Sequence, residues 1–460
     1  MSYSENISST QSKRRLLLIA YYYYQEESPA SKRTKGLVHY LPAMGWDVTL
    51  LTLPQDKNQQ NTANIIHAEE DLNFIQKFAS RLSKSNNLNA SHNSSADSKY
   101  TEGFAISLGK WILDNKYLRN ITRKIYRILF HKSSYDGYEW FSSAVEVGRT
   151  ALSKEKYDAI LSTQCPISAH CVGRKLKQEF GLPWIADYRD LWSQWDLMQK
   201  RKSTSQREKE YQFECELIRT ADVLTVVSEP WAVELKEQHH KPVFVIPNGY
   251  DPAILNPGKK LDEKFSILHS GVIYGRKRSP EYLYRAIREL IDEGTIDIDD
   301  ISLDFYGPVE EGFEEDVYKY SLKECVNFHG LIPHQTLLEY QRQAQILLLL
   351  TADDPIDVGC YPAKVFEYLA ASRPILSYGY PKECVLSKLL SETSTGYHVL
   401  TYDAVKEKLK EWYGEWKEDG MVLYQGNMLE VEKYSHQGMA RKFKSVLEET
   451  INKYNCLAGQ

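Results

Sequence analysis

The sequence predicts an α/β protein built from two doubly wound domains, each a parallel sheet with helices on both faces. Short apolar runs alternate with helical patterns along the chain, as in successive βαβ units. The alternation stops at a turn-rich segment, 247–252 (PNGYDP), and then restarts. The chain has 460 residues, which is too long for one hydrophobic core, because single cores stop growing at about 250–300 residues.

Six apolar runs predict the strands of the first domain, to which we assign residues 14–248. The segment before it, 1–13, is polar, lacks the apolar core of a signal peptide and is expected to be disordered. Residues 81–101 are rich in Ser, Asn and Ala, a composition typical of a flexible insertion. A helical pattern at 34–44 ends at Gly45. The predicted strands are 15–22, 47–51, 159–162, 184–186, 223–226 and 243–246.

The second domain is assigned to residues 249–430, where the strand and helix patterns restart. A helix is predicted at 280–291. The C-terminal segment 431–460 contains a helix, 437–454, with an apolar period, so we expect it to pack back on the N-terminal domain. The predicted strands are 266–269, 303–306, 326–328, 346–350 and 374–376.

The segment 346–376 carries the strongest functional signal. Its first five residues are all apolar, which predicts a strand buried on both faces. A polar loop follows, and a helix begins near Pro362. Open α/β sheets bind ligands at the carboxyl ends of their strands, and a helix N-terminus suits a phosphate. Glu367 lies where it can accept hydrogen bonds from hydroxyls, so the segment predicts a nucleotide-sugar site. The other polar or flexible residues here are Asp353, Asp354, Asp357, Gly359 and Lys364.

Composition and motifs exclude several other classes of protein. The net charge of −5 and the pI near 6.2 argue against a general nucleic-acid binder. There is no GxGxxG after the first strand and no GxxxxGK[ST], so neither a dinucleotide oxidoreductase nor a P-loop enzyme is supported. No apolar run approaches 18 residues, the length of a membrane span. The seven scattered cysteines, without a CxxC, predict reduced core residues in a cytoplasmic protein.

Seven motifs occur in an order that matches one enzyme family. They are GWDVT (45–49), STQCPISAH (162–170), PWIADYRDLW (183–192), ADVLTVVSEPW (221–231), VIPNGYDP (245–252), HSGVIYGRKRSPE (269–281) and PAKVFEYLAASRPIL (362–376). In these motifs, and over nearly its whole length, the chain resembles glycosyltransferases of family 4, which are retaining and depend on nucleotide sugars. The resemblance implies the GT-B fold, in which two Rossmann-like domains face each other across a cleft.

The resemblance implies how the donor diphosphate is held. Family 4 enzymes typically bind it without a metal, using Arg and Lys from the loop that follows the first C-domain strand. That loop begins here at Gly271, and Lys277 has the spacing of the family lysine. The family arginine position is Val272, so we expect Arg276 or Arg278 to supply the second charge. The alternative is a basic loop that only contacts solvent.

Only one of the family's two characteristic glutamates is present in this chain. Glu367 matches the second glutamate, which implies a ribose contact, whereas Gly359 occupies the position of the first. Asp357 or the backbone N–H groups of 359–361, which include that of Tyr361, are candidates to contact the sugar instead. Lys364 stands at the start of a helix, where its charge is unfavourable unless an anion lies nearby.

The N-terminal domain departs from the family at its catalytic motif. The family's His-Asp corresponds here to Arg189-Asp190, for which a catalytic role and a structural ion pair remain equal alternatives. In a retaining enzyme the departing phosphate can take the acceptor proton, so a side-chain base is not required. Asp187 follows the same strand and is an acceptor-binding candidate. The loop after the first strand lacks the glycines usual in the family, and it adds three weaker acceptor candidates: Ser28, Ser31 and Lys32.

Residues 104–132 combine aromatic and aliphatic residues with seven basic ones. A basic amphipathic helix can lie on anionic lipid headgroups, which would place the protein at the inner face of the cell membrane. The alternative is a helix that packs its apolar face on the N-terminal domain.

We therefore expect a cytoplasmic, metal-independent and retaining glycosyltransferase. It would transfer a sugar from a UDP- or GDP-sugar to a hydroxyl of a glycan or lipid-linked acceptor, in cell-surface polysaccharide or glycolipid synthesis. Two alternatives share the fold. One is a catalytically silent sugar- or nucleotide-binding protein, favoured by the missing glutamate and the missing His-Asp. The other is a nucleotide-sugar epimerase.

Overall fold

A computed structural model describes residues 13–25, 29–56, 60–62, 64–70, 137–194, 202–273, 279–309, 312–351, 358–379 and 383–458. Several predictions fall outside these residues. They are the disordered segment 1–13 except its last residue, the flexible insertion 81–101, and the amphipathic segment 104–132.

The first sheet has seven strands in the order β3-β2-β1-β4-β5-β6-β7. The pairs β1–β4, β2–β3, β4–β5 and β6–β7 are parallel. The strands are β1 (Arg14–Ala20), β2 (Trp46–Thr52), β3 (Ile65–His67), β4 (Ala159–Thr163), β5 (Trp184–Tyr188), β6 (Val223–Val226) and β7 (Val243–Val245).

The second sheet has six strands in the order β10-β9-β8-β11-β12-β13, and every neighbouring pair is parallel. The strands are β8 (Phe265–Ser270), β9 (Ile301–Tyr306), β10 (Val326–Gly330), β11 (Ile346–Leu350), β12 (Ile375–Tyr378) and β13 (Gly396–Val399). The predicted α/β class with two doubly wound parallel sheets is confirmed.

Thirteen α-helices connect or follow these strands in the described part of the chain. Those before β8 are α1 (Pro29–Ala43), α2 (Tyr138–Lys154), α3 (Ser168–Phe180), α4 (Thr204–Ile218) and α5 (Glu229–His239). Those after β8 are α6 (Glu281–Asp292), α7 (Phe313–Lys319), α8 (His334–Gln343), α9 (Lys364–Ala371), α10 (Val385–Thr393), α11 (Tyr402–Asp419), α12 (Met428–Glu432) and α13 (His436–Ala458).

The all-apolar strand β11 is buried on both faces, as predicted. Ile346, Leu348 and Leu350 pack into one hydrophobic cluster, together with α6 and α11. Leu347 and Leu349 pack into a second cluster, together with α9 and α10. Successive side chains of a strand point to opposite faces, so a central parallel strand needs apolar residues at every position.

The described residues group into two compact units. One comprises 1–26 and 47–187, and the other comprises 27–46 and 188–460. The second unit therefore contains α1 as well as the six-stranded sheet. The C-terminal helix α13 packs on α1, since a Cβ on Gly36 would lie 2.9 Å from Cγ of His436. The guanidinium of Arg33 lies 4.9 Å from the ring centre of Phe443.

No helix among the described residues is long and apolar enough to cross a membrane.

All seven cysteines are free. Only Cys325 and Cys384 are buried, and Cys456 is exposed, so the prediction that the cysteines are core residues is wrong for most of them.

Candidate functional site

The turn at the carboxyl end of β8 brings Gly271 against the start of α9. Gly271 has φ +117° and its N–H donates to the carbonyl of Tyr306 at 2.7 Å. A Cβ at Gly271 would lie 2.3 Å from both Cε and Nζ of Lys364. Glycine is needed here for the backbone conformation, and the end of the lysine side chain lies in the space that a Cβ would occupy. Two predicted donor-site residues are brought together.

A buried hydrogen-bond network fixes this turn. The hydroxyl of Tyr368 accepts from the N–H of Ser270 at 3.0 Å and donates to the carbonyl of Leu348 at 3.2 Å. Gln341 Nε2 donates to the hydroxyl of Ser270 at 3.1 Å. Because these residues belong to β8, β11, α8 and α9, the network holds the four elements in one arrangement around the turn.

Glu367 lies in the first turn of α9 with its side chain 15% exposed. Lys32 Nζ is 2.7 Å from its Oε1, and His334 Nε2 is 3.0 Å from the same oxygen. Burial by itself would raise the pKa of Glu367, but the hydrogen bond from His334 and the charge of Lys32 outweigh it and lower the pKa to about 2. Glu367 is thus ionised at neutral pH. Both contacts use Oε1, so within the described residues Oε2 keeps its capacity to accept a hydrogen bond.

Two of the three acceptor candidates, Ser31 and Lys32, lie in the first turn of α1 and not in a loop, because the helix begins at Pro29 instead of residue 34. Lys32 contacts the carboxylate of Glu367, the donor candidate. Ser31 is fully buried, and its hydroxyl has no hydrogen-bond partner among the described residues. Ser28 lies outside the described residues. The structure thus joins one acceptor candidate to the ribose candidate, a contact that the sequence did not predict.

Gly359, at the position of the missing glutamate, is packed against Trp231. A Cβ there would lie 2.4 Å from Cδ1 and Nε1 of the indole and 3.1 Å from the hydroxyl of Ser228. No side chain fits at position 359 unless Trp231 moves, which gives the departure from the family pattern a steric reason. Nearby, Tyr361 is partly buried, its ring centre lies 5.9 Å from that of Phe366, and burial raises the pKa of its hydroxyl.

The candidates in and after β5 lie in polar contacts of their own. Asp187, which was expected after the strand, lies within β5. It is fully buried, and its Oδ2 accepts from the hydroxyl of Thr163 at 2.8 Å. Arg189 Nη2 lies 3.4 Å from Oδ2 of Asp190, with the two side chains 11% and 32% exposed. This geometry matches the structural alternative given for Arg189-Asp190, and their catalytic role stays a prediction.

Six of the predicted donor-site residues lie in parts of the chain that the structure does not describe. Arg276, Lys277 and Arg278 lie outside the described residues, as do Asp353, Asp354 and Asp357. Across the described ranges, no group of three or more His, Cys, Asp or Glu side chains could hold a metal ion. The prediction of a metal-independent reaction remains a prediction.

Sequence reasoning missed His334 and Trp231. His334 begins the helix that follows β10, so it occupies the same kind of position, after a strand and at a helix start, as Lys364 after β11. The argument used for 346–376 would have found it. Trp231 gave no such signal, because its role depends on contact with a glycine more than one hundred residues away.

Comparison with known proteins agrees with this architecture. Residues 114–254 match the family model described as Glycosyltransferase Family 4. No curated protein sequence matches the chain.

Three solved structures show which fold this chain resembles. Sucrose-phosphate synthase from Thermosynechococcus elongatus is similar with a TM-score of 0.57 and 15% identity, over 96% of this chain and 100% of that one. A glycosyltransferase from Rickettsia africae has a TM-score of 0.56 and 11% identity, over 96% of this chain and 99% of that one. A structure described as a UDP-N-acetylglucosamine 2-epimerase from Listeria monocytogenes has a TM-score of 0.52 and 11% identity, over 96% and 98%.

The predicted resemblance is confirmed by these matches. The chain has the GT-B fold. Its residues 114–254 are similar to glycosyltransferase family 4, so the enzyme class that the family match indicates is a glycosyltransferase.

Proposed function

We propose that this family 4-like chain transfers a sugar from a UDP- or GDP-sugar to a hydroxyl of a glycan or lipid-linked acceptor. The observation that carries the proposal is the ionised carboxylate of Glu367 in the first turn of α9, beside the turn at which Gly271 and Lys364 meet. A carboxylate that accepts from hydroxyls, next to a cation and a helix N-terminus, fits the ribose and diphosphate of one ligand.

We assign the diphosphate to the Gly271 turn. Transfer leaves negative charge on the departing diphosphate, and positioned cations or N–H donors stabilise it. The ammonium of Lys364 and the N-terminus of α9, which no side chain caps, supply such groups. The chain continues from this turn into Arg276, Lys277 and Arg278, and we assign the remaining positive charge to that loop.

We assign the ribose to Glu367. Its Oε1 is held by Lys32 and His334, so the carboxylate has a fixed orientation before any ligand binds. The remaining oxygen would accept hydrogen bonds from the ribose hydroxyls. A group held in advance loses less conformational entropy on binding, which favours affinity.

We further propose a retaining reaction without a metal, in which the departing phosphate takes the proton of the acceptor hydroxyl. No step then requires a histidine at the position of Arg189. Arg189 and Asp190 would bind the acceptor or order its loop, and Asp187 would support that loop through Thr163. We place the protein in the cytoplasm, at the inner face of the membrane, in polysaccharide or glycolipid synthesis.

A catalytically silent binding protein is the second candidate function. The contact between Gly359 and Trp231 fills the space of the carboxylate that the family places near the sugar. Donor binding could persist without that group, whereas turnover depends on every contact that strengthens in the transition state.

Nucleotide release from a panel of UDP- and GDP-sugars, measured with and without a lipid extract, separates these functions. We expect release that depends on the extract, is abolished in Glu367→Ala and is unchanged in Glu448→Ala. Glu448 is a matched control, because it is also a helical glutamate paired with a lysine, Lys444, but on α13. Nucleotide binding without release across the panel would favour the silent protein, and conversion of the free donor sugar would favour an epimerase.

A further inference from the structure

A cavity of about 370 Å³ lies in the second unit, where strands of the six-stranded sheet begin. We call this side of the sheet its amino edge, and the side where the strands end, which carries the Gly271 turn, its carboxyl edge. Pro374 and Thr395, which directly precede β12 and β13, are among the residues that line the cavity. Its walls come from α10, α11 and the segment after α11. The volume falls within the range of about 300–1,000 Å³ that is usual for small-molecule sites.

Aromatic rings form one side of the cavity. Tyr397 is 43% exposed, and its ring centre lies 5.8 Å from that of Trp412 in an edge-on arrangement. Lys408, which does not line the cavity, places its Nζ 3.8 Å from the ring centre of Tyr397. A cation over one ring face and an indole at its edge hold the tyrosine in place, as a stacking surface for a ligand requires.

Carboxylates form another side. Glu411 and Glu415 both line the cavity, one turn apart on α11. Glu411 is paired with Lys408, whose Nζ lies 2.6 Å from its Oε2, and Glu415 accepts from the N–H of Leu423 at 3.4 Å. None of the lining residues is a lysine or an arginine. Even with the charge of Lys408 counted, the two carboxylates leave net negative charge, which favours ligands that donate hydrogen bonds.

Hydroxyl and amide groups complete the lining. Ser391, Ser394 and Gln425 line the cavity. They offer both donors and acceptors. A ligand with several hydroxyls could hydrogen-bond to them.

We propose that this cavity binds a neutral oligosaccharide. A sugar ring has an apolar face that packs on an aromatic ring and hydroxyls that donate to carboxylates, which are the two kinds of surface found here. The site is separate from the donor site, since the two lie at opposite edges of one sheet. Oligosaccharide binding here does not require the proposed transfer reaction, whereas the role we assign to it, holding a glycan acceptor away from its reacting end, rests on the proposed function.

Saturation-transfer NMR and calorimetry with cellotetraose, maltotetraose and chitotetraose, without any nucleotide sugar, test the proposal. We expect at least one of the three to bind, glucose 1-phosphate not to bind, and Tyr397→Ala to weaken the oligosaccharide at least five-fold. Tyr318→Ala is the matched control, because Tyr318 is 62% exposed and also has a lysine, Lys323, over its ring.

Gln425→Ala provides a second variant, since Gln425 is exposed and substitution there leaves the core intact. We expect it to weaken binding with an unchanged melting temperature. The proposal is overturned if none of the three oligosaccharides binds, if Tyr397→Ala and Gln425→Ala both bind as the unchanged protein does, or if Tyr318→Ala weakens binding equally.

Discussion

The two edges of the six-stranded sheet have opposite chemistry. At the carboxyl edge of β8 and β11, Lys32 and His334 contact the carboxylate of Glu367, and Lys364 lies against Gly271. At the amino edge of β12 and β13, two carboxylates and two aromatic rings line a cavity without a lysine or arginine.

The direction of the helices explains the difference. In a parallel α/β sheet, helices begin at the carboxyl edge and end at the amino edge. Helix N-termini carry partial positive charge and C-termini partial negative charge. α9 begins beside Gly271, whereas α10 ends at Thr393 beside the cavity. The helix ends thus favour anionic groups such as phosphates at the carboxyl edge and hydrogen-bond donors such as hydroxyl groups at the amino edge. The side chains at each edge have the same preference.

The largest effect that would test this contrast is expected from Glu367→Gln. The amide keeps the shape of the side chain but removes the charge that pairs with Lys32 and one acceptor oxygen. We expect nucleotide release to fall by about 100-fold or more, on the scale of losing one preorganised polar group. Steady-state kinetics with the best donor of the panel measure this. Glu448→Gln should change the rate less than two-fold, and equal losses in the two variants would contradict the assignment of Glu367 to the donor.

The second effect concerns stability and pH. The pKa of Glu367 is about 2 in the folded protein, below the usual 4.5. Because the folded-state pKa is lowered, the ionised carboxylate stabilises the fold above pH 4.5, and that contribution disappears as the pH falls towards 2. A shift of this size corresponds to at most about 3 kcal/mol. We expect the melting temperature of Glu367→Gln to lie below that of the unchanged protein at pH 7, and the difference to shrink steadily from pH 5 to pH 3. A difference independent of pH would show that the carboxylate is not held as described.

The third effect tests whether the backbone or Lys364 makes glycine necessary at the Gly271 turn. Gly271 and Gly294 both have positive φ, +117° and +69°, but only +69° lies in the left-handed region that other residues can adopt. We expect Gly294→Ala to destabilise by about 1 kcal/mol and Gly271→Ala by about 2–3 kcal/mol, because alanine is more strained at +117°. Urea unfolding measures both. The end of Lys364 can move aside, so adding Lys364→Ala to Gly271→Ala should recover only a small part of the loss, and full recovery would mean that the contact with the lysine outweighs the backbone strain.

The sequence predicted the architecture better than it predicted the contacts. Strands such as β11 were found because burial on both faces requires an unbroken apolar run, and the run matches the strand at both ends. β3 and β13 were missed because they are edge strands of three and four residues that are only partly buried. Edge strands need no continuous apolar pattern.

For the candidate site as well, single residues were predicted but their contacts were not. Gly271 and Lys364 were each donor-site candidates, from the family motif and from a helix start, but their contact was not predicted. The contacts of Glu367 with Lys32 and His334 join residues 335 and 33 positions apart. Nothing in local periodicity or propensity encodes such contacts, because they depend on how α1 and α8 pack around α9.

The smallest expected effect is also the sharpest test of the separation between the two edges. If the cavity binds glycans independently of the donor, Tyr397→Ala should leave nucleotide release with a short, soluble acceptor unchanged within two-fold. The same variant should raise the KM for a long glycan acceptor while kcat stays constant, because it removes binding energy remote from the reacting atoms and equal in the ground and transition states. Kinetics with one short and one long acceptor decide this. A fall in kcat with the short acceptor would mean that Tyr397 acts on the donor edge, and the two edges would then function as one site.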